Sequence, residues 1–260
     1  MISPFKAPRG RVARYFWFGL WGFAVFNLLW LVLALILPLN ALPLPQEVYA
    51  VFPQALEAGL ARHFGASLQR VLFGLLISLA LALLLGIPMG YSKRVSHRLS
   101  PLAYFAYPVP KLALLPVVML LLGMGEVSKI AVIVLILAFP MLLAVRDGVR
   151  AVPDEDYALL VSLRAAFGEK LRHIILPACL PAILSSLRVS VGIAFSALFF
   201  TETYGTEQGL GFYITDCWMR LDYLQMYFGI VALSFAGVAF FVLIDLTERT
   251  LCRWQRKEAE

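Results

Sequence analysis

The chain has 260 residues, 61% of them hydrophobic and only 15% charged, with a formal net charge of +6. That balance excludes an ordinary soluble domain, in which roughly a quarter of residues are charged. The length suits one bundle of membrane helices and leaves little room for a soluble catalytic domain, so residues 1–260 read as a single all-α membrane domain.

Six spans are expected, each within about 17 to 25 residues. The first, Trp17–Leu37, follows Lys6, Arg9, Arg11 and Arg14. Its apolar run is too long for a typical signal-peptide core and no small-residue cleavage site follows, so it reads as a permanent span, anchored at the interface by Trp17 and Trp21. The second is Leu68–Tyr91, after which come Lys93, Arg94 and Arg98. The third, Leu102–Leu122, contains Pro108, Pro110 and Pro116 and the ammonium of Lys111. Each proline frees a carbonyl, which is tolerated at membrane depth only where the segment is buried in protein or lines a cavity. A kinked helix along a path and a kink that serves packing are equal readings. Lys111 either snorkels to the surface or meets an anionic substrate. The fourth span, Ile130–Val145, is short. The fifth, Ala178–Phe200, carries Arg188 well inside it, either paired with carbonyls or an acid or facing a substrate. The sixth is Tyr227–Leu246, where Asp245 is expected to form a surface pair with Arg249.

Between the fourth and fifth spans lies AVPDEDYALLVSLRAAFGEKLRHIILP, Ala151–Pro177, a mixed-charge loop much longer than a turn requires. Pro153 followed by Asp154, Glu155 and Asp156 reads as a helix start, because acids meet the positive end of the helix dipole. Tyr157, Leu160 and Val161 share one helical face, and Leu159 and Leu163 lie on another. A short helix outside the bilayer with two apolar faces buries one on its own domain and the other on a partner. A second helix follows, with Phe167, Leu171, Ile174 and Ile175 as its apolar stripe and Glu169, Lys170, Arg172 and His173 on the wet side. Leu176-Pro177 is expected to end it. The loop reads as a docking element for a soluble partner.

Most basic residues fall on one side of the six-span arrangement: the N-terminal group, the group after Tyr91, those between the fourth and fifth spans, and Arg249, Arg253, Arg256 and Lys257. The opposite side has mainly Arg62 and Arg220 beside Glu47, Glu57, Glu202, Glu207, Asp216 and Asp222. Both termini and the docking loop are therefore expected in the cytoplasm. Topology and anionic lipid explain the positive charge without nucleic acid. Cys179, Cys217 and Cys252, like His63, His97 and His173, are scattered, so no disulfide or zinc site is expected. No GxxxxGK[ST], GxSxG or HExxH motif occurs, so ATP is not expected on this chain. A polytopic enzyme acting on lipid-linked substrates stays open as an alternative, as does a non-transporting membrane subunit. The enzyme would need a cluster of ionisable groups. Glu202, Glu207, Asp216 and Asp222 are the candidates, and among Gly205, Gly209 and Gly211 they read as a solvated outer loop with a short helix.

A set of motifs appears in a fixed order: SLQRVLFG at Ser67–Gly74, PVPKLALLP at Pro108–Pro116, GMGEVSKI at Gly123–Ile130, DGV at Asp147–Val149 and LPACLPAI at Leu176–Ile183. Glu202, then GLGFYI at Gly209–Ile214, and ER at Glu248–Arg249 complete it. In this order the chain resembles the transmembrane permease subunit of bacterial ABC importers, in the branch handling nitrate, taurine, other sulfonates and bicarbonate. The resemblance runs over about residues 68 to 254, with residues 68–247 as the importer core. It implies a binding-protein-dependent importer permease fold in the bacterial inner membrane, moving a small, anionic solute by alternating access. It also implies two ATPase subunits that carry ATP and magnesium, a second permease copy in a homodimer, and a periplasmic or lipid-anchored solute-binding protein. No cofactor is implied on this chain. The loop becomes a coupling element whose first short helix sits in a groove of the ATPase. It comprises Asp156, Tyr157, Ala158, Leu159, Leu160, Val161, Leu163, Arg164, Ala165, Ala166 and Phe167. The sequence departs from the family there: Ala158-Leu159-Leu160 stand where Glu-Ala-Ala is usual, and Arg164 stands where a turn glycine is usual, followed by Ala165-Ala166 in place of Ala-Ser. Losing the glycine removes the easy left-handed residue. Losing the glutamate removes a cap or salt bridge, and the leucines are expected to compensate by apolar packing. Candidates for the translocation path are Pro108, Pro110, Lys111, Pro116, Arg188 and Glu202.

Overall fold

Residues 11–37, 41–153, 155, 157–158, 162 and 164–252 are described by a computed structural model. The regular elements among them are helical: α1 (Arg11–Ile36), α2 (Pro45–Ala50), α3 (Phe52–Glu57), α4 (Leu60–Tyr91), α5 (Lys93–Ala106), a 3-10 turn (Lys111–Leu114), α6 (Leu115–Leu122), α7 (Glu126–Arg150), α8 (Phe167–Lys170), a π turn (Leu171–Ile175), α9 (Leu176–Glu202), α10 (Leu210–Met219) and α11 (Tyr223–Leu251). Five stretches are long and apolar enough to cross a membrane: Gly19–Ile36 of α1, α4, α7, the continuous Phe167–Glu202, and α11.

The frame is the pair α4 and α7. Gly74, Ser78, Ala82, Gly86 and Gly90 recur at every fourth position of α4, one small-residue ridge along the i, i+4 rows. Side chains of α7 lie directly on it. A Cβ on Gly74 would stand 2.5 Å from Ile133, one on Gly86 would stand 2.9 Å from Val145, and one on Gly90 would collide with Val149. Each residue n of α4 thus faces residue n + 59 of α7, so the two helices run parallel and in fixed register. Small residues let helix backbones approach where lipid supplies no hydrophobic drive between helices. Around this seam, Ile133, Leu137, Met141 and Val145 of α7 join Ile183, Val191, Ala194 and Leu198 of α9 in the main core.

Parallel running of α4 and α7 settles the third span. The chain leaves α4 at Tyr91 and must return to the opposite end before α7 begins at Glu126. The intervening residues therefore cross once, which makes six crossings in all. They do so as a bent pair, Lys93–Ala106 and Lys111–Leu122, whose axes differ by 81°. This corrects the expectation of one kinked helix over Leu102–Leu122. Pro108 and Pro110 lie in the break itself and deny it the amide protons that a continuous helix would need.

Two further expectations change. The fourth span is not short: α7 has 25 residues, because Glu126, Lys129 and Arg146, which bounded the apolar run in the sequence, lie inside the helix with partners. Leu176-Pro177 does not end a helix either. The π turn immediately before it spreads the backbone where the proline ring would strike the preceding carbonyls, and helix continues from Phe167 to Glu202. Beside α11, Val48 of α2 and Ala55 of α3 are buried with Leu210, Tyr213 and Cys217 of α10. α1 leans on that cluster through Trp30, whose ring stacks on Tyr227 at 5.6 Å and whose Nε1–H donates to the Pro43 carbonyl.

A side chain larger than glycine at residue 90 should push α4 off α7. Gly90→Leu should cost about 1–3 kcal/mol, as overpacking does, and lower the midpoint of thermal unfolding. Gly65→Leu, where a Cβ meets nothing within 4 Å, should leave it unchanged.

Candidate functional site

The docking loop begins where α7 ends. Val152 is buried, and Tyr157 donates its hydroxyl proton to the Val149 carbonyl at 3.4 Å. Tyr91, the last residue of α4, is gripped on two sides: Tyr157 meets it edge-on at 5.7 Å and Phe167 at 5.2 Å. Three rings thus pin both ends of the loop to the end of α4, at separations where edge-to-face pairs are favourable. Glu155, Tyr157, Ala158 and Ser162 are helical, as the acidic helix start required. Ala158 and Arg164 are exposed and Ala165 is half-buried. Asp156, Leu159, Leu160, Val161 and Leu163 lie outside the described residues. Arg164 has φ +55. The left-handed turn is therefore kept without its glycine, at the steric cost that a Cβ brings there. From Ala166 the chain re-enters helix, its amide donating to Glu169 Oε2 at 2.8 Å. The second apolar stripe turns inward at Leu171, Ile174 and Ile175, while Phe167 spends its ring on Tyr91 and stays half exposed.

The opposite end of the bundle is closed by a charge clasp. Arg70, 1% exposed, lies between two carboxylates. Its Nε donates to Glu126 Oε2 at 2.6 Å and its Nη2 to Glu126 Oε1 at 2.5 Å, a two-pronged pairing. Its Nη1 donates to Glu202 Oε1 at 2.7 Å and to the Gln208 carbonyl at 2.8 Å, and Nη2 reaches Thr206 Oγ1 at 3.5 Å. All five guanidinium protons are thereby used. Ser67, one turn earlier on α4, donates to the Glu202 carboxylate at 2.8 Å and accepts from the Leu210 amide at 2.7 Å. The Gly211 amide donates to Glu202 Oε2 at 2.8 Å. Glycine is required beside this carboxylate: Gly209 has φ +123, and a Cβ on Gly209 or Gly211 would run into Glu202. Lys129 seals the neighbouring turn by donating to the carbonyls of Met124, Gly125 and Gly205. Glu202, expected as an outer-loop acid or a path residue, is instead wholly buried and fully engaged.

Two other candidates have partners as well. Arg188 of α9 reaches α11, pairing with Asp245 at 2.5 Å and with Glu248, and lies over the Phe241 ring. Asp245 thus serves Arg188 first, and Arg249 stands 3.9 Å away. Lys111 donates to the Tyr107 carbonyl and lies 5.2 Å from the centre of the Phe139 ring, at the break between α5 and α6. Pro108, Pro110 and Pro116 are exposed along that broken span. The three cysteines are buried and unpaired, and burial raises the Cys217 thiol above its ordinary pKa, so it is a poor reporter of sidedness. Among the described residues no group of histidines, cysteines and acids could hold a metal ion.

A model of binding-protein-dependent transport system inner membrane components matches residues 78–257. The chain belongs to this family. It is 32% identical to a putative aliphatic sulfonates transport permease protein of Bacillus subtilis, over 93% of this chain and 89% of that one. It is 32% identical to the taurine transport system permease protein of Escherichia coli, over 85% and 82% of the two chains. A nitrate import permease protein of Synechococcus elongatus is 27% identical over 75% and 74%. In shape it is similar to the MetNI methionine ABC transporter in an inward-facing conformation, with TM-score 0.57 and 15% identity, covering 76% of this chain and 96% of that one.

The protein is thus a permease subunit of an ATP-driven importer, a multi-pass component of the inner membrane with ATPase and solute-binding partners, and ATP hydrolysis belongs to a separate chain. The clasp is the part of this permease that its sequence did not announce. SLQR, GMGE and GLG were visible as motifs, yet only the fold brings Arg70, Glu126 and Glu202 together across separations of 56 and 132 residues. The arrangement can tie the segment after α9 to α4 and α7; it has no spare proton donor with which to do acid–base chemistry.

Two variants test these parts. Arg70→Met strands a buried carboxylate, and removing one partner of a buried pair should cost about 3–5 kcal/mol, read as loss of folded yield and a lower unfolding midpoint. Arg164→Gly relieves a left-handed residue and should raise stability by about 1 kcal/mol, measured by the same unfolding assay.

Proposed function

We propose that two copies of this permease form a homodimer that moves a small oxyanion of the sulfonate or nitrate kind inward, with the loop Ala151–Pro177 and both termini in the cytoplasm. The observation that carries this is the docking segment, pinned by Tyr157 and Phe167 on Tyr91 so that its exposed side is presented outward from the basic end. The excess of lysine and arginine at that end supports the orientation. The sulfonate, taurine and nitrate relatives support the substrate class.

In this reading each copy docks one ATPase subunit through Ala158 and Arg164 with Leu159 and Leu163, while Tyr157 and the face it shares with Leu160 hold the segment to its own domain. ATP and magnesium stay on those subunits. Closure of the two ATPases drives the docking segments together. The rings on Tyr91 and the α4–α7 seam pass that motion to the bundle as a rigid-body shift between inward- and outward-open states. The broken span around Pro108, Pro110, Lys111 and Pro116 and the face of α9 near Arg188 line the route, since broken backbone and charge at membrane depth survive only against protein or water. A solute-binding protein delivers the anion to the end closed by the clasp.

Leu163→Asp places a charge on the apolar face away from Tyr157, the one expected to meet the ATPase. The variant should lose ATPase co-purification and substrate-stimulated ATP hydrolysis while keeping a normal size-exclusion profile. Because a soluble ATPase reaches only the cytoplasmic face, wild-type assembly and coupling in this variant would reject both the docking role and the proposed orientation.

A further inference from the structure

Charge inside this fold is matched nearly everywhere. Arg70 has two carboxylates, Arg188 has Asp245 and Glu248, Arg146 has Asp147, and Lys129 has three carbonyls. Three cations gathered on one cavity, the exposed Lys93 and Arg150 and the half-buried Lys170, have no such match among the described residues. At the basic end, between the ends of α4 and α7 and the docking loop, is a cavity of about 570 Å³. Lys93, Arg150 and Lys170 line it with Tyr91 and Tyr157, and no acid is among the described residues of its lining. Among the described residues no carboxylate lies within ion-pair distance of any of the three cations.

We infer that this cavity is a binding site for a compact oxyanion, a phosphate- or sulfonate-type group. Like charges lining one space repel each other, and salt at physiological ionic strength screens such repulsion over about 8 Å. An anion between them turns repulsion into attraction. Arg150 is already set for the task, its Nη2 donating to Ser96 Oγ at 2.5 Å, and Ser96 is itself held by Ser100 at 3.1 Å. Gly90 keeps the floor of the site as bare backbone, because Val149 occupies the space a side chain would take. The two tyrosine rings meet edge-on at 5.7 Å and wall one side. The volume suits a headgroup-sized ligand.

The lining comes from two bodies. Lys93 and Arg150 belong to the bundle, and Tyr157 and Lys170 belong to the docking loop. An anion bridging them fastens the loop to the bundle beside the surface that meets the ATPase, so its occupancy sets how firmly the docking segment is held. The site faces the cytoplasm if the orientation proposed above holds; the pocket itself does not depend on that reading. Two sources carry the same chemistry, an anion free in solution and the headgroup of an anionic lipid.

The full chain in nanodiscs separates them. In discs of phosphatidylcholine, sodium sulfate is titrated against sodium chloride at constant ionic strength; in a second arm, discs with and without phosphatidylglycerol are compared in chloride. Saturating occupancy should raise the unfolding midpoint by about 3 °C. A rise with sulfate alone identifies a free anion, and a rise with phosphatidylglycerol alone identifies a lipid headgroup. The rise should vanish in the triple variant Lys93→Gln, Arg150→Gln, Lys170→Gln and persist in Arg98→Gln, an exposed cation of the same end that does not line the cavity. If the triple variant does not fold, Lys93→Gln alone, an exposed position, should reduce the rise at least twofold. No rise in either arm, or a rise undiminished by removing the lining cations, overturns the inference.

Discussion

The close parallel contact of α4 with α7 is the constraint on which the rest of this permease depends. A helix pair in lipid gains little from apolar surface, because lipid tails are as apolar as leucine. It must therefore gain from proximity, and Gly74, Ser78, Ala82, Gly86 and Gly90 supply it over four turns. Fixing two crossings in parallel obliges the chain between them to cross back. That obligation accounts for a segment as poorly suited to helix as Tyr107–Pro110 sitting in the middle of the third crossing. The seam also makes α4 and α7 one stiff unit, so that what happens at one end is felt at the other.

The two ends of that unit are finished by different physics. One end is held by ions, three of them out of reach of water: buried Arg70 with buried Glu202 and the more exposed Glu126, and buried Lys129 on three carbonyls. Such pairs contribute less to net stability than their distances suggest, since each charge left water to form them. They contribute geometry, because a guanidinium with all five protons placed has one orientation. The other end is held by rings, Tyr91 between Tyr157 and Phe167. Ring contacts are non-directional enough to tolerate small displacements. That suits the proposed role of this loop, which would pass a partner's motion to the bundle without breaking.

Much of the membrane plan was legible in order. Apolar runs gave five crossings nearly in place, and Pro108 and Pro110 marked the fault in the remaining one. The acidic start at Pro153 and the inward stripe at Leu171, Ile174 and Ile175 gave the helical character of the loop. The misreadings share a cause. Lys129, Arg146 and Glu202 looked like ends of spans or residents of water, because a charge in a sequence window carries no sign of its partner. Arg188 was left between two readings for the same reason, until Asp245 and Glu248 were found across from it on α11. Arg164 gave the opposite lesson: replacing the turn glycine put the turn in doubt, yet the arginine adopts φ +55 there.

The sequence by itself determined the class of the molecule, the count of crossings, the family, and the helical character of the loop after the fourth crossing. All of these are written in local composition and in motifs of a few residues, and local chemistry is enough to impose them. Tertiary structure alone decided which charges are silent and which are available. It paired Arg70 and Arg188 across distances no window spans, buried the three cysteines, bent the third crossing by 81°, and left Lys93, Arg150 and Lys170 around one cavity without a described acid. Whether a charge is matched depends on what stands a few ångströms away in space, and helices far apart in the chain supply that neighbour only once they have packed.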